Sequence, residues 1–172
     1  MKVQKIALIA VLTAATVVIG IVESFIPSIG IPGIKLGLAN IMILVTLYEL
    51  GIVEAVFVDF VRVILVSLIR GSFLSMGFVM SLTGAALSLG IMILFYVLVR
   101  KFSIIGVSVI GSIFHVTGQI LVAMLYLGTP YVLYYLPFIG LSAIITGVLV
   151  GIAAQLIIRT KVISNLRAKY NF

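Results

Sequence analysis

Residues Ile6 to Phe25 read IALIAVLTAATVVIGIVESF. A helix needs about 20 largely apolar residues to cross the hydrocarbon core of a bilayer, and this run supplies them. Lys2 and Lys5 precede it, as in the basic start of a secretory signal. The run is longer than the roughly 7–15 apolar residues of a signal core, so it reads as a retained first span.

The rest of the chain repeats this pattern. Of the 172 residues, 64% are hydrophobic and 9% are charged. A soluble domain carries about 25% charged residues, and disordered chains are polar and charged. Both classes are excluded, and the mean hydropathy of +1.46 agrees. Apolar segments cover approximately 5–25, 36–50, 53–69, 73–99, 104–127 and 136–158. At about 20 residues each, six spans leave roughly 50 residues for loops and ends, so residues 1–172 form one integral membrane domain. No segment alternates polar and apolar as the strands of a membrane barrel do. Backbone groups in lipid must be satisfied within each span. The expected fold is therefore an all-α bundle of six transmembrane helices.

Charge orients it. Eleven Lys and Arg against four Asp and Glu give a net charge of +7. Lys2, Lys5, Arg100, Lys101, Arg159, Lys161, Arg167 and Lys169 fall on one face of a six-span arrangement, and only Lys35 and Arg70 on the other. Cytoplasmic loops carry the excess of positive charge. Both termini are expected in the cytoplasm, with the chain in the cell membrane. The same charge in a soluble protein would suggest nucleic acid; here it flanks apolar spans, and no nucleic-acid partner is expected.

Few polar groups remain to carry chemistry. Asp59 and Arg62 stand three apart in span 3, so they can pair on one helix face. Arg62 could equally face a polar cavity and bind an anion, because ionisable groups inside membranes are costly and often functional. His115 is the lone histidine, and Gln119 follows one turn later on the same face. Interhelical hydrogen bonding and ligand recognition both fit that pair. Gly33-Ile34-Lys35-Leu36-Gly37-Leu38-Ala39-Asn40 opens span 2. A cation and an amide beside a helix N-terminus suit an anion, although Lys35 could also be an interfacial anchor. Tyr131, Tyr134 and Tyr135 suit an aromatic belt or a cover over a flat ligand.

Small residues line two spans. Ala7, Ala10 and Ala14 form a strip on span 1, and Ala143, Gly147 and Gly151 one on span 6. Such strips let helices approach closely. For span 6, packing within the bundle is expected. Span 1 fits internal packing or docking of another membrane subunit.

Enzyme signatures are missing. There is no cysteine, no phosphate-binding Gly-x-x-x-x-Gly-Lys-Ser/Thr loop, no Asp-rich diphosphate motif and no Ser/His/Asp set. One His and scattered carboxylates argue against a metal site. The chain is expected not to be an enzyme and to carry no cofactor.

Lys35–Ile41 (Lys-Leu-Gly-Leu-Ala-Asn-Ile), Asp59-Phe-Val-Arg62, His115-x-x-Gly-Gln119 and Tyr134-Tyr135-Leu-Pro137 resemble a bacterial family. It is labelled heptaprenyl diphosphate synthase component I, or Gx transporter. That family is similar to the substrate-binding S components of energy-coupling factor transporters. The resemblance implies a six-helix protein that captures a vitamin-like or isoprenoid or aromatic micronutrient from outside. It also implies three partners: a transmembrane coupling subunit and two ATPase subunits. The Ala-x-x-x-Ala strip of the first helix, here Ala10 and Ala14, would contact the coupling subunit. Metal-transporting S components resemble one another in an N-terminal His-containing motif. Met1-Lys2-Val3 lacks it, so cobalt or nickel is not expected. Candidate ligand contacts are Lys35, Asn40, Arg62, Arg70, His115, Gln119 and Tyr135. The cations among them suggest an anionic ligand. The family label implies an alternative from another class, a membrane accessory subunit of a polyprenyl diphosphate synthase. A self-contained channel or flippase is a weaker third reading.

Overall fold

The computed structural model describes residues 3–25, 35, 37–99 and 102–170. Met1, Lys2, Gly33, Ile34, Leu36, Arg100 and Lys101, which figure in the sequence reading, lie outside the described residues.

Among the described residues the fold is helical, with no strand. Helix α1 spans Val3–Glu23, α2 Asn40–Glu49, α3 Ile52–Ile69, α4 Met76–Leu98, α5 Ile104–Leu127, α6 Leu136–Arg159 and α7 Val162–Tyr170. A 3₁₀ turn, Pro130–Tyr135, leads into α6. Local chemistry sets the boundaries. The Ser75 side chain accepts from the Phe78 amide, so α4 begins at Met76 rather than at Phe73. Ser103 caps α5 in the same way through the Gly106 amide at 3.0 Å; such caps satisfy an otherwise orphaned helix N–H. Gly128, with φ +61°, ends α5 in a left-handed conformation that costs glycine little.

Among the described residues, four helical segments are long and apolar enough to cross a membrane: α1, α4, α5, and α6 with its preceding turn. Two expected spans differ. Helix α2 begins at Asn40, not near residue 36, and has 10 residues, a length of about 15 Å against a hydrocarbon core of about 30 Å. Helix α3 has 18 residues but carries Glu54, Asp59 and Arg62. The basic tail adds a further helix. It folds as α7, with Ile163 buried and Arg167 donating to the Glu49 carbonyl.

Helix α5 is the centre of the packing, with α4 on one side and α6 on the other. The span 6 strip makes this possible. A Cβ at Gly147 would lie 2.7 Å from Val109 Cα, and one at Gly151 2.7 Å from Ile105 Cα. Ala143 is fully buried in the same row. That strip is therefore consumed by packing within the bundle. Helix α1 lies chiefly against α3, while α2 touches α1, α3 and α6. Ile43, Leu44 and Leu47 of α2 are fully buried, so this short helix is wedged in the interior. The outer surfaces are apolar, with Val11, Val18, Phe57, Phe60, Leu141 and Leu149 exposed, as lipid-facing helices require.

Candidate functional site, a buried polar cavity

Glu23, at the end of α1, faces a small cavity with Lys35, Arg62, Ser81 and His115. Its volume is about 20 Å³, room for about one water molecule. Ionisable groups from α1, α3, α5 and the segment before α2 thus meet inside an otherwise apolar bundle. Burying charge is expensive unless it is paired or hydrogen-bonded, so the partners of each group decide what the cavity can do.

Arg62 donates to Asp59 one turn back on α3, and both are buried. Arg62 is thus ion-paired, as the first reading of this pair has it, and it also lines the cavity. Among the described residues its Nε has no hydrogen-bond partner. Lys35 forms no ion pair among the described residues. Burial pulls its ammonium down to about 8, with Glu23 opposing and Arg62 and Arg70 adding to the fall.

The segment before α2 is tied to the helices through its backbone. Lys35 N–H donates to Gln119 Oε1 at 2.9 Å, and Gly37 N–H donates to the Glu23 carboxylate. The first bond fixes the Gln119 amide, so its Nε2 faces His115 Nε2 at 2.9 Å as the donor. His115 Nε2 is then the acceptor, and the hydrogen sits on Nδ1. Among the described residues that Nδ1 is buried without a hydrogen-bond partner. Gly37, with φ +84°, packs against Asn40 and His115; a Cβ there would lie 3.2 Å from Asn40 Nδ2. Asn40 in turn donates to Ser88 Oγ at 3.2 Å.

Five of the seven expected contacts therefore gather at one place: Lys35, Arg62 and His115 on the cavity, with Gln119 and Asn40 bonded beside it. The other two do not join them. Arg70 is exposed at the end of α3, close enough to act on Lys35 only electrostatically. Tyr135 is 48% exposed in the turn before α6, where Tyr131 and Tyr134 stack at 6.1 Å. Sequence reasoning misses Glu23, Ser81 and Ser88. Glu23 has a signal, since an acidic residue ending an apolar run is costly in a membrane; the two serines carry none.

On the outside of α1, Ala7, Ala10 and Ala14 are all exposed. Ala10 and Ala14 border a groove of about 570 Å³ between α1 and α3, flanked by Phe57 and Leu65. Packing within the chain does not consume this strip, in contrast to that of α6. Glu54 also lines this groove and is ion-paired with Lys5 at 2.5 Å.

Comparison with curated proteins and with solved structures finds no match. Residues 12–157, which include every group of the cavity and most of the bundle, match the family model for heptaprenyl diphosphate synthase component I, and the chain belongs to that family.

Proposed function

We propose that the protein is the substrate-binding membrane subunit of an energy-coupling factor importer, with six membrane-spanning helical segments and cytoplasmic termini. It captures a small, anionic, vitamin-like or isoprenoid or aromatic molecule from outside. Partner subunits hydrolyse ATP to move it. The observation that carries this reading is the buried cavity, where Lys35 and Arg62 lie beside His115 with donor atoms left unpartnered. Buried donors in a purely structural polar cluster are for the most part hydrogen-bonded. The cavity holds about one water molecule, so capture requires it to widen, with Lys35 and Gly37 releasing their backbone bonds to Gln119 and Glu23. The exposed alanine strip supports the partner part of the reading, as a flat surface for a coupling subunit.

The family description favours a second reading, a membrane accessory subunit of a polyprenyl diphosphate synthase. The chain would then anchor a soluble, Asp-rich prenyltransferase, and the alanine strip would be irrelevant. Native mass spectrometry of the protein purified from its own cells in mild detergent separates the two. A bound small molecule with co-purifying ATPases is expected. A soluble prenyltransferase with neither would overturn the importer.

A further inference from the structure

Glu23 is unusual among the cavity groups. It is an acid 3% exposed, yet it forms no ion pair within 4 Å among the described residues. Its carboxylate instead accepts the Gly37 N–H, a backbone donor presented by a left-handed glycine beside the start of α2. The Lys35 ammonium and Arg62 share the cavity. A backbone N–H, a helix N-terminal turn and two cations are what an external oxyanion seeks.

We propose that Glu23 is a resident stand-in for the ligand's acidic group. A carboxylate or phosphate on the ligand takes over the Gly37 N–H, Lys35 and Arg62 when the Glu23 side chain swings out. This deepens the proposed function and rests on its identification of the cavity as the binding site. It adds the backbone and side-chain groups that receive the ligand's acid and a specificity-determining residue. Glu23 excludes neutral molecules, because Arg62 keeps Asp59 while only an anion can replace Glu23 without leaving the Lys35 ammonium uncompensated. It also weakens binding, since the apparent affinity falls with the fraction of sites it vacates.

The test is titration of the purified full chain in detergent with sodium acetate and inorganic phosphate, against sodium chloride at equal ionic strength. Thermal stabilisation and calorimetry are the readouts. Glu23→Ala should bind either anion about tenfold or more tightly than the natural protein. Glu23→Gln keeps the shape and the Gly37 hydrogen bond, and should show a smaller gain. Adding Lys35→Met to either variant should abolish it. Repeating the titration in nanodiscs assigns the source of the oxyanion. Competition by phosphatidylglycerol, absent with phosphatidylcholine, marks a lipid headgroup, whereas equal affinity in both marks a soluble ligand. Unchanged or weaker anion binding in both Glu23 variants overturns the proposal. The assay uses no partner subunit, so failure of ATPase co-purification leaves its result intact. Conversely, ATPases that co-purify with a protein indifferent to anions would sink only the stand-in.

Discussion

Gly84 of α4 lies so close to His115 of α5 that a Cβ there would stand 2.8 Å from the His115 carbonyl oxygen and 3.0 Å from Gln119 Cγ. A backbone carbonyl inside a helix has little room to yield. Gly84→Ala should therefore destabilise the protein by about 1–3 kcal/mol, the usual range for overpacking. Gly90 is the matched control on the same helix, because a Cβ added there would meet no atom within 4 Å. Gly90→Ala should be neutral or gain up to about 1 kcal/mol from helix propensity. Thermal unfolding in detergent checks both.

The buried Asp59–Arg62 pair sets a second expectation. Removing one member leaves a buried charge uncompensated, at a cost of about 3–5 kcal/mol. Asp59→Leu should fall in that range. The double variant Asp59→Leu with Arg62→Met should recover part of the loss, because both charges leave the interior together. Equal stability of the single and double variants would mean that Arg62 finds another partner.

Lys35 predicts opposite pH trends for binding and stability. Its ammonium is held down to about 8 from 10.5 by burial. Acetate stays ionised throughout this range, so its affinity for Glu23→Ala should decline as pH rises, with a midpoint below that of the natural protein because the Glu23 charge that holds the Lys35 proton is gone. The unliganded natural protein should do the reverse. Between 8 and 10.5 the unfolded chain holds the proton that the folded one has lost, so this group adds stability as pH rises. In Lys35→Met both slopes should vanish.

Ala10 and Ala14 are exposed beside the α1–α3 groove, so replacing both with leucine should change stability by no more than about 0.5 kcal/mol. Under the importer reading the same change should remove co-purification of the coupling subunit. Retention of that subunit by the leucine variant would take the strip out of the partner interface. Anion binding at the cavity should be the same in both proteins.

Much of this architecture was legible in the sequence. Long apolar runs announce helices, because a chain in lipid has no other way to satisfy its backbone, and α1, α4, α5 and α6 lie close to where those runs do. The i, i+3 and i, i+4 spacings placed Arg62 on Asp59 and His115 on Gln119 correctly, since those contacts are local to one helix turn. Hydropathy overran α2 because it counts apolar residues without sensing the left-handed Gly37 that delays the helix to Asn40. It also could not tell one small-residue strip from the other. Gly147 and Gly151 are buried against α5 while Ala10 and Ala14 face outward, and the difference lies in which helix stands opposite. The cavity itself belongs to the tertiary structure. Glu23 and Gly37, 14 residues apart, and Lys35 and Gln119, 84 apart, meet only because α1, α3 and α5 pack around the start of α2. Local rules set the helices. Which ionisable group is left holding a backbone amide rather than a counter-charge was decided by the packing between them.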